Sequence, residues 1–151
     1  MSVLVDTNVL VFATQQGHPL RQECVQAIER VIAKGISLYL LPQNIAEFWN
    51  VCTRPIERNG LGLTPRDTNQ RLNQIDSFAT ILHDSQATYA RWRELLVKHE
   101  VKGIQVFDAR IAAAVQVHSI KRILTYNPRD FGRYDGIVAI GPADVATGLN
   151  I

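Results

Sequence analysis

The opening stretch SVLVDTNVLV is an apolar run broken once, by Asp6, Thr7 and Asn8, before the apolar residues resume. Four more short, mostly apolar runs follow. With the first they predict strands at Val3–Val5, Leu38–Leu41, Ala79–Leu82, Arg122–Thr125 and Ile137–Ile140. Between them the apolar positions change period. Leu20, Cys24, Ile28 and Val31 recur at helical spacing, as do Ile45, Trp49 and Cys52, then Leu72, Ile75 and Phe78. Tyr89, Trp92 and Leu96 follow the same spacing, and so do Ile111 and Val115. Strands alternating with helices predict an α/β chain whose parallel sheet is covered on both faces. The most polar stretch, Arg54 to Gln74, reads as a loop at Asn59-Gly60 and Gly62. A helix then starts at Thr64-Pro65-Arg66-Asp67, with Thr64 as cap. No repeat or linker divides the chain, so a single domain is expected over residues 1–151.

Composition narrows this picture. The chain has 151 residues, 46% hydrophobic and 20% charged, enough for one domain with its own core. A net charge of +2 neither demands nor excludes a nucleic-acid partner, because a local patch is enough. The N-terminus lacks a basic start and its apolar run carries Asp6, which is unlike a signal peptide. No stretch approaches the ~18 apolar residues of a membrane span. A cytoplasmic protein with no membrane contact is expected. Cys24 and Cys52 lack metal-ligand spacing and read as small buried apolar residues. His18, His83, His99 and His118 likewise read as structural or surface groups, and Trp49, Tyr89 and Trp92 as core.

The acids add the chemistry. In open parallel sheets, sites form beyond the carboxyl ends of the strands. Asp6 ends the first strand. Glu47 lies in the helix after the second, within LPQNIAEFW. Asp108 begins the helix of VFDARIAAAV, and Asn127 and Asp130 follow the fourth strand in LTYNPRDF. Brought together, these carboxylates would repel one another, and a divalent cation resolves that conflict. Mg²⁺ takes oxygen ligands and is typically held by one or two carboxylates plus phosphate. Each acid also has a bland reading. Asp6 suits a helix cap. Glu47, three residues after Asn44, suits the reciprocal acid of a capping box. Asp108 suits the positive end of a helix dipole, and Asp130 a turn with Pro128 and Gly132.

The segments VDTNVL, PQNIAEFWNV, VFDARIAAAV and LTYNPRDF, in this order and across nearly the whole chain, resemble the successive motifs of PIN-domain nucleases, VapC-like toxin ribonucleases among them. The resemblance implies a three-layer α/β/α sandwich with a central parallel sheet of about five strands. It implies hydrolysis of RNA phosphodiester bonds with Mg²⁺ or Mn²⁺. It also implies a homodimer and a cognate antitoxin protein as partner. Asp6, Glu47 and Asp108 match the family's first three acids. Asp6 and Asp108 would be the principal direct metal ligands, with Glu47 binding through water or orienting one. Thr7, Asn8 and Thr125 would hold the carboxylates by hydrogen bonds.

The fourth position departs from the family. Many members carry an acid two residues after the matching threonine. Here that residue is Asn127, with Asp130 three residues further on. Either could fill the place, and one metal ion or two could bind. Arg54, Arg58, Arg110, Arg129 and Arg133 lie on or near the same segments and are candidates for holding RNA phosphates. Two other readings compete: a PIN-like RNA-processing nuclease without antitoxin, and a catalytically weak domain that binds RNA or protein. A phosphotransfer site with Asp6 as nucleophile would want a second acid where Asn8 stands.

Overall fold

The computed structural model describes residues 1–148 and residue 151. Leu149 and Asn150, at the end of the expected domain, lie outside the described residues. The five strands are β1 (Ser2–Val5), β2 (Ser37–Leu40), β3 (Thr80–Ile81), β4 (Arg122–Leu124) and β5 (Val138–Ile140). They form one sheet in the order β3-β2-β1-β4-β5. Every pairing is parallel; Val3 stands level with Leu38 on one side and Arg122 on the other. All five lie where the apolar runs placed them, within about a residue except that β3 keeps only two residues.

Seven helices among the described residues cover the sheet: α1 (Thr7–Thr14), α2 (Arg21–Ala33), α3 (Pro42–Thr53), α4 (Pro65–Asp76), α5 (Gln86–Lys98), α6 (Gln105–Val117) and α7 (Pro142–Thr147). Strand side chains alternate between two apolar layers. Val3, Val5, Leu38, Leu40 and Leu124 join a core built with Leu10, Cys24, Ile28, Phe48 and Ile75. Leu4 and Ile123 join a second core with Leu95, Ala112 and Val115. So α1–α4 and α7 lie on one face and α5 and α6 on the other. This is the three-layer α/β/α sandwich, and burial on both faces explains why the strands read as continuous apolar runs. Both cysteines are free and buried. Tyr89 departs from the core expected of it. It is exposed on α5, with the Arg93 guanidinium 5.8 Å from its ring centre. No helix among the described residues is long and apolar enough to cross a membrane.

Because all strands run the same way, their carboxyl ends share one edge. The chain builds outward from β1 through β2 to β3, then returns to place β4 and β5 on the other side of β1. The order therefore reverses between β1 and β4, which is where an open α/β sheet leaves a crevice.

Candidate active site at the carboxyl edge of the sheet

Asp6 follows β1 directly. It caps α1, its Oδ1 accepting from the Thr7 N–H at 2.8 Å. Its other oxygen accepts from the Thr125 hydroxyl at 2.7 Å and the Asn8 amide at 3.2 Å. Thr125 follows β4, is fully buried, and also accepts from the Asn127 N–H at 3.0 Å. Asp6 is thus both a cap and a member of the site; the two readings do not exclude each other.

Glu47 is not the reciprocal acid of a capping box. Helix α3 begins at Pro42, and Asn44 fills that role, its Oδ1 accepting from the Leu41 N–H at 2.9 Å. Glu47 sits a turn further on. One of its oxygens accepts from the Thr7 hydroxyl at 2.8 Å and the other from the Gln43 amide at 2.7 Å. The Asn44 amide in turn donates to the Thr7 hydroxyl at 3.2 Å. Thr7, Asn8 and Thr125 therefore stand in contact with the carboxylates.

Asp108 is different. It lies in the first turn of α6, partly buried, and its carboxylate takes no hydrogen bond or ion pair among the described residues. Burial pushes its carboxyl up to about 6, helped by the charges of Asp130, Asp6 and Glu47 and opposed by Arg133. Burial likewise pushes Asp6 up, against the hydrogen bonds from Thr125 and Thr7. Asp130 is exposed in the short 3₁₀ turn Pro128–Asp130.

A hollow of about 380 Å³ is lined by Asp6, Thr7, Asn8, Glu47, Asp108, Asn127 and Asp130, so the expected acids and Asn127 meet in one cleft. The five arginines divide. Arg110 lines an adjoining hollow, donates to the Gln43 side-chain amide oxygen at 3.4 Å, and pairs with Asp84. Arg133 donates to Gln105 at 3.0 Å, near enough to act on Asp108. Arg129 is exposed beside Asp130. Arg54 donates to the carbonyl of Asn59, within its own loop, and Arg58 is exposed on that loop; neither lines the cleft. Gly60 is required there, because a Cβ would collide with the Arg54 carbonyl oxygen.

Gln43 and Asn44 are site residues that charge and spacing did not single out. Both are buried amides. The available signal was helical: Gln43 precedes Glu47 by one turn, close enough for their side chains to pair.

The donor set fits a hard divalent cation. It is all oxygen, with no His or Cys in the lining, and no basic side chain forms an ion pair with its acids among the described residues. No ready cage of three or more His, Cys, Asp or Glu exists among the described residues. Mg²⁺ keeps several waters and needs only one or two carboxylates, so it requires no such cage.

A five-stranded parallel sandwich with an acid cleft at its switch point defines an α/β domain whose cleft lies where open parallel sheets form their sites. Residues 3–137 match the PIN domain, and the chain belongs to that family. It is 27% identical over 139 residues to Ribonuclease VapC48 of Mycobacterium tuberculosis, covering 91% of this chain and 94% of that one. Among solved structures it resembles VapBC2 from Rickettsia felis bound to a promoter DNA fragment, with TM-score 0.70, 16% identity, and 93% and 98% of the two chains covered. It also resembles a toxin–antitoxin complex from Klebsiella pneumoniae, with TM-score 0.64, 24% identity, and 93% and 97% covered. A third likeness is to Mycobacterium tuberculosis VapC20, a toxin that cleaves the sarcin–ricin loop, with TM-score 0.58, 17% identity, and 80% and 86% covered.

Proposed function

We propose that this chain is a Mg²⁺- or Mn²⁺-dependent endoribonuclease, the toxin of a toxin–antitoxin pair, acting in the cytoplasm as a homodimer. The carrying observation is the cleft in which Asp6, Glu47, Asp108 and Asp130 meet with no basic side chain paired to them among the described residues. Membership of the PIN family, the ribonuclease VapC48 relative and the toxin–antitoxin neighbours support it.

Asp6 and Asp108 would hold the cation, with Asp130 or Asn127 at the fourth position. When bound, the cation supplies charge neutralisation at the phosphate and a more acidic water. The chain's own residues do the rest. Thr125, Asn8 and the Thr7 N–H fix the Asp6 carboxylate in one orientation. Gln43 and Thr7 fix Glu47, whose remaining lone pairs orient the attacking water in line with phosphorus. Arg110 and Arg133, the arginines tied to the cleft, attract the RNA backbone past the acids. Arg129, Arg54 and Arg58 extend the basic surface further out.

The test is cleavage of a structured RNA pool by purified, partner-free protein with Mn²⁺ or Mg²⁺. EDTA should abolish cleavage, and Asp108→Asn should lower it at least about 100-fold. Equal cleavage by the folded variant would falsify the mechanism. One observation favours a second reading, a catalytically weak binding domain: the fourth family position is held by exposed, uncharged Asn127. RNA binding without cleavage would select it.

A further inference from the structure

The first turn of α6 is clamped from both sides. The Trp92 indole donates to the Val106 carbonyl at 3.0 Å. The Gln43 amide, itself buried, donates to the Phe107 carbonyl at 3.1 Å while also holding Glu47. A turn fixed this firmly nevertheless presents two large apolar side chains to water. Phe107 is 50% exposed and Ile104 is 82% exposed. They are three residues apart and so share a helix face, and Asp108 follows directly. Scattered exposed hydrophobes need no explanation, but an aromatic ring on hydrogen-bonded backbone at the rim of an acid cleft does.

Both residues line a hollow of about 780 Å³, a volume in the range of small-molecule pockets, roughly 300–1,000 Å³. Glu47, Asp108 and Asp130 line this hollow and the acid cleft alike, so the two adjoin. A chain whose phosphate reaches the carboxylates has room for its adjoining nucleoside here. Asn50 also borders both hollows, and its side-chain amide is unengaged among the described residues, free to meet a base edge.

We infer that Phe107, with Ile104 beside it, forms a subsite that stacks the nucleobase flanking the scissile phosphate. The inference rests on the ribonuclease reading above. A flat ring gives stacking to any base, and the amide edge of Asn50 adds a preference among them.

The experiment uses the RNA that the wild-type protein cuts best. Steady-state kinetics and cut-site maps are compared for wild type, Phe107→Ala, Phe107→Leu and Phe107→Tyr, each checked for folding by circular dichroism. Ala and Leu should raise KM about 10-fold with kcat little changed, and should broaden the base preference beside the cut; Tyr should restore both. Leu equal to Phe would show that bulk suffices and overturn the stack. Ala equal to wild type in KM and cut sites would overturn the subsite while leaving the nuclease intact. Normal cleavage by Ala combined with loss of binding to a protein partner would assign the wall to that partner instead. A wild-type protein that cuts no RNA would overturn the functional reading and the subsite with it.

Discussion

The two walls of the cleft hold their carboxylates in opposite ways. On the Asp6–Glu47 wall every carboxylate oxygen accepts from an uncharged donor: the Thr7 N–H, Asn8, Thr125, Gln43 or the Thr7 hydroxyl. On the Asp108–Asp130 wall neither carboxylate takes a side-chain partner among the described residues, and the Asp108 carboxyl is pushed up to about 6. Neutral donors fix direction without cancelling charge. The first wall is therefore rigid and still negative, and the second is negative and unsatisfied. Together they make a site that is stable as a scaffold yet strained in its electrostatics, a strain the proposed cation would relieve. Had arginines satisfied the same carboxylates, the acids would be quiet and the cleft of little use to a metal.

Breaking the first wall should give the largest effect on stability. Thr125→Val keeps the shape of the side chain but leaves the buried Asp6 oxygen with only the Asn8 amide and the Asn127 N–H without its partner. Thermal or denaturant unfolding should show a loss of about 1–3 kcal/mol. RNA cleavage should fall roughly 10–100-fold, as expected when a group supporting a metal ligand is lost. An unchanged stability with unchanged cleavage would show that the hydroxyl holds nothing that matters.

Editing the second wall should move stability the other way. Asp108→Asn removes a charge that burial and three neighbouring acids disfavour, and no hydrogen bond is lost with it. The metal-free variant should therefore melt higher than wild type at pH 7.5 while cleaving RNA poorly. Adding Mg²⁺ should close the gap by stabilising wild type more than the variant. A variant that melts lower without metal would mean that Asp108 has a stabilising partner, and the contrast between the walls would fail.

The same contrast explains what could be read from sequence. Strand positions were legible because both faces of the sheet are buried, which leaves runs such as VLV and LYLL almost without polar interruption. The acids were legible once their places were referred to strand ends, since topology then gathers Asp6, Glu47, Asp108 and Asp130 at one edge. The neutral donors were only half legible. Thr7 and Asn8 adjoin an acid in sequence, whereas Gln43 and Asn44 reach theirs by the turn of a helix and a buried amide leaves no charge to notice. Phe107 was hidden for another reason. An apolar residue in an amphipathic helix reads as core, and Tyr89 was misjudged on the same ground. Only the position of the sheet beneath α5 and α6 decides which apolar side chains stay outside.

The smallest effect, and the one most specific to the second wall, is the response of stability to pH. In the unfolded chain an aspartate titrates near its model value of 3.8, and in the folded protein Asp108 titrates at about 6. Between these values the folded state binds more protons than the unfolded one, so this group's contribution to stability falls as pH rises from about 4 to about 6 and is then constant. The raised Asp6 acts in the same direction. Lowering pH from 7.5 to 5 should therefore raise the melting temperature of metal-free wild type relative to that of Asp108→Asn, which lacks the group. Saturating Mg²⁺ should invert the trend, because the cation needs ionised carboxylates and loses affinity as Asp108 is protonated below about pH 6. Parallel pH profiles for wild type and variant, with and without Mg²⁺, would locate the strain somewhere other than Asp108. Metal-free profiles that converge as pH falls from about 6 to about 4 would place it on that side chain.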